Sequence, residues 1–514
     1  MMFGFSVFRI AKSQNVLARQ NWLLCLLAIF PLSEAIPAEK YVYPGQFGAF
    51  CDGAADDGAA LQKWLDAANE TGAIAGLEEN KTCVTSVVLT LKEITTLRIV
   101  GGAGAVLKKI GDLKPPKGTG IFHFTEGVSG SLTIESVNFL GAHDAAWAST
   151  GHLGENPAVM LGKPYSKFEG IYRNIKIENC RFEGFSWAAV VLHGAFGNSK
   201  KTKFFNVNII NNTFYNVSAA IAVYKNAKGI NISQNSISKV GQTAIYVDAL
   251  AQSDFGRFYG EKNEEILIEK NNIKDVGHAA QGAGIVFKGV GQNAIIRTNW
   301  IADVGEKIDG KNFSAFGIYV GAGVDLVGPT NVVIENNSIK DIKSIKSTAT
   351  GIYVGPDSEN IRILSNTISN SHYTGITIFG SKSIDVANNK IELRESKFGI
   401  YLRGKTDNFS EDLTAQGNSI FTKSDETAQA IYMQAVALPV IRANRLTGFA
   451  DAKNLVFIGK PTDRGTMDLI LDHVPQSGQW IRGDIVRVPK PKRAAFDTYV
   501  FQILNKSGFW QAFK

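Results

Sequence analysis

Four residues in the middle of the chain carry side chains that could do chemistry on a sugar: His193, Tyr246, Asp248 and Lys288. Each lies in a short segment of the form Gly/Ala-Ile-x-Val-x, or a close variant, in which apolar residues alternate with the positions marked x. Alternate residues of a half-buried strand point to opposite faces, so we expect all four side chains on one outward face. Such a face would hold acids and bases within reach of one bound molecule.

Two reactions remain open for these residues. A glycoside hydrolase uses two carboxyl groups, one that protonates the leaving oxygen and one that activates water or attacks the sugar. Asp248 is the first candidate, and the segment after it holds candidates for the second: Asp254, Glu261, Glu264 and Glu265. A polysaccharide lyase instead removes the proton beside a uronate carboxyl group, which requires a base and a cation that stabilises the enolate.

For the lyase reaction, the candidates for the base are Lys288, Tyr246 and His193, and those for the cation are Lys225 and Arg257. The alternative for any one of them is an ordinary polar residue on a solvated sheet. The lyase is slightly favoured, because Lys225, Lys288 and Arg403 share the face with few carboxylates.

A row of tyrosines occupies the first outward position of later segments: Tyr319, Tyr353, Tyr401 and Tyr432. Flat aromatic faces could form a platform for pyranose rings, with Arg403 as a further substrate contact. The rings could equally stack on one another and serve only the structure. Both interpretations remain open.

The positions of these residues depend on a repeat. Asparagine recurs at one place in successive repeats of the form Asn-x-Ile/Leu/Phe: Asn212, Asn235, Asn271, Asn299, Asn337, Asn366, Asn389, Asn418 and Asn444. Cys180 holds the same place one repeat earlier and is expected to be a buried, apolar side chain. Registered repetition indicates stacked coils, so we predict a parallel β-helix over residues 91–460. Equivalent residues of neighbouring coils should lie about 4.8 Å apart.

The two ends of the predicted helix differ from its repeats. Residues 36–90 form an N-terminal module with a helix near residues 57–69, whose apolar stripe would cover the open end of the coils. Asp56 or Asp57 can cap the start of that helix, and Cys51 and Cys83 could form a disulfide. Residues 461–514 lose the repeat and are predicted to be a small β module that caps the far end or mediates oligomerisation, with a homotrimer as one option.

The first 35 residues have the pattern of an export signal. Basic residues precede an apolar run from Trp22 to Leu32, and Ser33-Glu34-Ala35 follows as a cleavage pattern. The run is much shorter than the about 20 residues that a membrane span needs. We therefore predict a secreted or periplasmic protein with no membrane span after processing. The net charge is +7 for the full chain. Removing three basic residues and one acid makes it +5, which suits a polyanionic substrate or simply a basic surface.

Two sequence motifs carry a resemblance to a known family. Gln46-Phe47-Gly48-Ala49, then Asp52-Gly53 and Asp56-Asp57 before an Ala-Leu-Gln helix, resembles the N-terminal signature of pectate-lyase-like parallel β-helix proteins. The stretch from Trp480 to Val486 is similar to a tail segment of some phage tailspikes and secreted relatives. The resemblance implies an all-β, right-handed parallel β-helix and polysaccharide processing. It does not choose a reaction, because the superfamily includes lyases, hydrolases, epimerases and binding spikes.

Several signatures are absent from the sequence. The polygalacturonase motifs (Asn-Thr-Asp, Gly-His-Gly) and the Asp-Pro-His-Asp element of mannuronan epimerases do not occur, and neither does a Gly-rich Ca²⁺-binding nonapeptide. No phosphate loop, redox motif or nucleic-acid signature is found, so we expect no nucleic-acid partner. No cofactor is required by the residues named, although scattered carboxylates could recruit Ca²⁺.

Together these patterns favour an exported enzyme that cleaves an acidic polysaccharide in a groove along residues 190–435. A lyase is placed slightly ahead of a hydrolase. The alternatives are a uronan C5-epimerase, which uses the same proton abstraction without cleavage, and a non-catalytic glycan-binding spike.

Overall fold

The computed structural model describes residues 39–110, 120–142, 157–162, 170–194, 202–249, 262–278, 282–305, 314–322, 327–344, 348–394, 396–405, 411–423, 428–450, 454–458, 466–477, 480–490, 496–504 and 507–513. The export signal predicted for residues 1–35 lies outside these ranges. So does Arg257.

The described chain forms a parallel β-helix in which each coil contributes up to three strands. One representative coil runs through Ala219–Tyr224, Ala227–Ser233 and Ser236–Val240, and each strand pairs in parallel with its counterpart in the next coil. Stacking the coils therefore produces three parallel sheets, which we call the front, second and third sheets. The predicted fold class is confirmed.

The front sheet carries the residues singled out in the sequence. Its strands are Val159–Gly162, Ala188–His193, Ala219–Tyr224, Thr243–Asp248, Gly282–Lys288, Ala315–Gly321, Ala349–Val354, Thr374–Phe379, Phe398–Arg403, Gln429–Gln434 and Leu455–Ile458.

The second sheet begins with Tyr41–Val42, Ile74–Leu77 and the long strands Leu89–Gly101 and Phe122–Glu135, whose first residues also border the front sheet. It continues through Ile171–Glu178, Lys203–Ile210, Ala227–Ser233, Asn263–Glu269, Gly291–Arg297, Thr330–Glu335, Glu359–Leu364, Lys382–Ala387, Glu411–Gln416, Val440–Thr447 and Met467–Leu471.

The third sheet has the shortest strands. They are Asp52–Asp56, Thr82–Thr85, Val106–Lys109, Asn138–Leu140, Arg181–Glu183, Thr213–Val217, Ser236–Val240, Asn272–Val276, Trp300–Val304, Ser338–Ile342, Thr367–Ser371, Lys390–Leu393 and Ser419–Thr422.

The asparagines form a continuous buried ladder at the bend between the second and third sheets. The side-chain oxygen Oδ1 of Asn271, for example, accepts the backbone N–H of Asn235 at 3.0 Å and its Nδ2 at 2.9 Å. The same two bonds recur along the ladder, and Asn212 Oδ1 extends it by accepting the Cys180 N–H at 2.9 Å. The ladder therefore ties each coil to the next where the chain turns.

The residue before each ladder position must adopt a positive φ, because the chain bends sharply there. Asn211 has φ of +56° and Asn336 has φ of +54°, values that asparagine tolerates better than most side chains. Backbone conformation thus favours asparagine at these two positions before the ladder.

The interior of the helix is filled by apolar side chains from all three sheets. Isoleucine and valine dominate, and many are wholly buried, including Ile245, Val247 and Ile285. The early coils add a stack of phenylalanines, in which Phe182 lies 4.9 Å from Phe139 and 4.8 Å from Phe214 between ring centroids. Each coil buries its apolar face only against its neighbours.

The predicted N-terminal helix is present as Gly58–Thr71, with Leu61, Trp64 and Leu65 buried in the main core. Trp64 Nε1 donates to Val42 O at 3.0 Å. Asp57 does not cap the helix through its side chain; its carboxylate accepts the N–H groups of Phe50, Cys51 and Val84 instead. Cys51 and Cys83 are joined by the expected disulfide. That the helix closes the coil stack stays a prediction.

The C-terminal β module also occurs, as the strands Ile485–Pro489, Phe496–Leu504 and Ser507–Phe513. The first continues the helix by pairing in parallel with Met467–Leu471, and the other two add to it as antiparallel strands. Trp510 packs edge-on against Trp480 and Phe501 at 5.0 and 5.1 Å. In the described ranges no helix is long and apolar enough to cross a membrane.

Candidate functional site

Two rows of outward side chains run along the front sheet, and their register matches the one predicted from the repeats. The first row contains Val191, Ala222, Tyr246, Val286, Tyr319, Tyr353, Thr377, Tyr401 and Tyr432. The last row contains His193, Tyr224, Asp248, Lys288 and Gly321, and further along Phe379, Arg403 and Gln434. Neighbours in a row lie on adjacent strands, about 4.8 Å apart along the helix axis.

Three of the predicted catalytic residues form one contacting group, which we call the central cluster: Tyr246, Asp248 and Lys288. Tyr246 donates its hydroxyl proton to Asp248 Oδ2. Lys288 Nζ donates to Tyr246 Oη at 3.4 Å and lies 3.7 Å from Asp248 Oδ2. The register explains the contact, because Asp248 and Lys288 pair across adjacent strands while Tyr246 stands two residues before Asp248 on the same face.

The central cluster combines a buried acid with a more accessible cation. The Asp248 side chain is 6% exposed, whereas the Lys288 side chain is 25% exposed. Burial, then the charge of Asp248, raises the pKa of Tyr246 well above its usual value, so its phenol keeps its proton. To act as the base suggested by the sequence, Tyr246 would first have to lose this proton. Burial and Asp248 also raise the pKa of Tyr319, two row positions after Tyr246.

His193 lies outside the central cluster, two strands before Asp248, with Tyr224 between them. It is 1% exposed, and its Nδ1 lies 2.8 Å from Gly194 O. Burial lowers the pKa of His193 to about 4, and Lys225 and His123 add to that effect, so the imidazole is neutral near pH 7. Such a histidine positions its neighbours more readily than it takes a proton from a substrate.

Three residues near His193 were missed by sequence reasoning. Trp187 stacks on Tyr224 with 6.1 Å between ring centroids, and the Tyr224 ring lies 5.1 Å from His193 and 5.7 Å from Tyr246. His123 enters from the strand Phe122–Glu135, where its Nε2 contacts Gly162 O at 2.9 Å. Tyr224 follows the repeat and could have been found from it. Trp187 and His123 lie where the pattern is broken.

The predicted cations and second carboxylates are placed less favourably. Lys225 is 1% exposed, not a surface contact, and its backbone N–H donates to Asp248 O at 3.0 Å. Glu264 and Glu265 lie on the second sheet rather than beside Asp248, and Lys228 Nζ approaches them at 3.7 and 3.1 Å. Asp254, Glu261 and Arg257 lie outside the described residues.

The tyrosine row divides into two groups at Thr377, which is buried and carries no ring. Tyr319 and Tyr353 stack with their planes 11° apart and their centroids 5.2 Å apart. Their facing surfaces are used against each other, so this pair supports the structural interpretation rather than a sugar platform. Burial raises the pKa of Tyr353 to about 12.

Glycine at position 321 makes room for this stack. A side-chain carbon at Gly321 would lie 3.1 Å from Tyr319 Oη, so the tyrosine hydroxyl reaches over the glycine. Tyr401 and Tyr432 differ, because their planes cross at 81° with 5.1 Å between centroids. For this second pair the sugar platform and the structural role both stay predictions. The sequence could not distinguish the two pairs, since both have tyrosine at equivalent positions.

Among the described residues, one group of three potential metal ligands lies close together: Cys51, Asp57 and Cys83. Its sulfurs form the disulfide, and the Asp57 carboxylate already accepts backbone N–H groups. These atoms are therefore committed to the structure. Recruitment of Ca²⁺ remains an expectation from the sequence.

A family model described as "Right handed beta helix region" matches residues 120–391 and 307–453, which together exceed half of the chain. No curated protein sequence matches.

Three solved structures illustrate the likeness. PfbA, a surface adhesin of Streptococcus pneumoniae, has a TM-score of 0.52 and 14% identity, over 92% of this chain and 98% of that chain. The Azotobacter vinelandii mannuronan C-5 epimerase AlgE6 A-module has a TM-score of 0.47 and 15% identity, over 84% of this chain and 100% of that chain. A hyperthermoactive exopolygalacturonase from Thermotoga maritima has a TM-score of 0.41 and 14% identity, over 82% of this chain and 92% of that chain. At these identities the likeness shows the fold alone.

Proposed function

This chain belongs to the right-handed β-helix family, and we propose that it is an exported enzyme that cleaves an acidic polysaccharide by β-elimination at the central cluster. The supporting observation is the composition of the front sheet. In its described strands, from Val159–Gly162 to Leu455–Ile458, Asp248 is the one carboxylate. The phenol of Tyr246 is hydrogen-bonded to this carboxylate, and the ammonium group of Lys288 lies beside it. A glycoside hydrolase needs a second carboxyl group, whereas an elimination needs one base, one acid and one cation.

Lys288 is the group that meets the uronate carboxylate. When the proton leaves the adjacent carbon, negative charge develops on that carboxylate, and an ammonium group beside it stabilises the charge. The 25% exposure of the Lys288 side chain allows contact with a bound sugar while Nζ stays 3.7 Å from Asp248 Oδ2.

Asp248 and Tyr246 move the protons. The Asp248 carboxylate takes the proton beside the uronate carboxyl group; the electrons of that C–H bond form a carbon–carbon double bond, and the glycosidic carbon–oxygen bond breaks. Tyr246 gives its phenolic proton to the leaving oxygen. The hydrogen bond between the two side chains then returns the proton from the carboxylic acid to the phenolate, so both groups recover their starting states.

The remaining residues of this region hold the cluster in place. Trp187, His193 and Tyr224 pack in sequence beside Tyr246, and the neutral imidazole of His193 fits an apolar, buried position. Lys225 supports the backbone of Asp248 through its N–H. Export rests on the signal predicted in residues 1–35.

The test is incubation of the purified protein with a panel of uronate polymers. Elimination creates a double bond at the new non-reducing end, so ultraviolet absorbance should rise together with the number of reducing ends. New reducing ends without absorbance would instead indicate a hydrolase. Exchange of the C5 proton at constant chain length would indicate an epimerase, and binding without any of these changes would indicate a glycan-binding spike.

A further inference from the structure

We propose that the far end of the front sheet holds a second binding site for the same acidic polymer, which makes the protein select long chains; the substrate class rests on the proposed function. We call this site the distal cluster. It consists of Phe379, Phe398, Tyr401, Arg403 and Tyr432, with Lys397 at its edge.

The rings of the distal cluster are arranged as a shelf rather than a closed stack. Phe398 lies 5.0 Å from Tyr401 and 4.9 Å from Tyr432 between centroids, with the planes tilted by 35° and 49°. Phe398 and Tyr432 are partly exposed, while Tyr401 is held beneath them by a hydrogen bond from its hydroxyl to Gln434 Oε1 at 3.1 Å. Because no two of these rings lie face to face, aromatic surface remains for the apolar face of a pyranose.

Cations stand at both ends of this shelf. Arg403 ends the strand Phe398–Arg403, is exposed, and has its Cζ 5.1 Å from the centre of the Phe379 ring. Lys397 directly precedes the strand, is also exposed, and has its Nζ 5.6 Å from the centre of the Tyr373 ring. The three strands that carry the shelf, Thr374–Phe379, Phe398–Arg403 and Gln429–Gln434, contain no acidic residue. The charge of the shelf therefore suits an anion.

The distal cluster is separated from the central cluster by a distance that the register defines. Asp248 and Arg403 occupy the same outward row, and five strand-to-strand steps connect them. At about 4.8 Å a step, the two residues lie about 24 Å apart along the axis. A substrate can contact both only if it extends over that distance.

The row between the two clusters offers a neutral surface to such a substrate. Gly321 carries no side chain there and the Tyr319 hydroxyl reaches over it, so no charged group of the described row stands between Lys288 and Phe379. A guanidinium group binds a carboxylate through two parallel N–H bonds, and Arg403 would hold a uronate far from the reacting one. Binding energy from this contact is the same in the ground state and the transition state, so it lowers KM and leaves kcat unchanged.

The experiment measures kcat and KM over a graded series of oligouronates, from the disaccharide to the polymer, for the wild-type protein and for Arg403→Gln. We expect Arg403→Gln to raise KM for the polymer about tenfold, since a charged hydrogen bond is lost, with kcat unchanged and the disaccharide unaffected. Tyr432→Ala should show the same dependence on length. Arg362→Gln is the matched control, because Arg362 is exposed on the second sheet, and we expect no change there.

Two results would overturn the proposal: an Arg403→Gln effect of equal size on short and long substrates, or no effect on either. If no substrate is turned over, the proposed elimination fails while the distal cluster remains testable by affinity electrophoresis in a gel containing the uronate polymer. The expected result is then weaker retardation of Arg403→Gln and Tyr432→Ala, with Arg362→Gln retarded like the wild type. Equal retardation of all variants would refute the second site.

Discussion

Replacement of one ladder asparagine tests whether the ladder holds the coils together. Asn271 is 1% exposed, and its Oδ1 accepts both the backbone N–H and the Nδ2 of Asn235. Its own Nδ2 donates to Ile232 O and Asn299 Oδ1, each at 2.9 Å. Asn271→Ala removes these four hydrogen bonds at once.

The expected loss follows from the groups that remain without a partner. The backbone N–H of Asn235 and one N–H of its amide would be left unpaired in a buried site, and each such group costs about 1–3 kcal/mol. Asn299 Oδ1 is spared, because it still accepts the backbone N–H of residue 271 at 3.0 Å. We therefore expect Asn271→Ala to lower the free energy of unfolding by about 2–6 kcal/mol.

Guanidinium unfolding followed by circular dichroism measures this loss, and hydrogen exchange at the Asn235 amide reports it locally. Asn272→Ala is the matched control, because Asn272 is the next residue and its side chain is exposed. Its replacement should change stability by less than about 0.5 kcal/mol. Equal effects of the two substitutions, or unchanged exchange at Asn235, would refute a stabilising role for the ladder.

Three further predictions concern the rest of the chain. Because the pKa of His193 is lowered to about 4, the unfolded state binds one more proton than the folded state between about pH 6.5 and 4. The free energy of unfolding should therefore fall by up to about 3 kcal/mol as the pH drops through that window. Unfolding midpoints measured across the window should depend less on pH in His193→Asn than in the wild type. Replacing Cys51 and Cys83 together by serine opens a loop of sequence separation 32 and should lower the free energy of unfolding by about 3–4 kcal/mol. An unchanged thermal unfolding temperature would contradict this prediction. Burial raises the pKa of Cys180 to about 12, so an alkylating reagent should label this thiol only after unfolding, which mass spectrometry can follow.

The repeat made much of this architecture predictable. The ladder asparagines set the register of each coil, so the row containing Tyr246, Val286 and Tyr319 could be aligned before any coordinates were known. Period-two alternation then placed Asp248 and Lys288 outward and adjacent. Both inferences rest on local geometry, which the sequence specifies directly.

The sequence was less informative where burial or loop length decides the outcome. Lys225 looked like a surface cation but is buried, and Glu264 looked close to Asp248 but belongs to the next sheet. The tyrosine pairs have equivalent positions, yet one stacks and the other crosses, because ring tilt depends on neighbours such as Phe316 and Phe398. Side-chain packing of this kind is set by tertiary contacts and not by spacing.

Turnover of a uronate polymer by Asp248→Asn tests the proposed chemistry most directly. Removing the group that accepts the proton should reduce formation of unsaturated ends by a factor of about 10²–10⁴. Asp385→Asn, which changes a carboxylate on the outward face of the second sheet, should retain wild-type activity. Wild-type rates of double-bond formation in Asp248→Asn would contradict the assignment of the central cluster as the site of elimination.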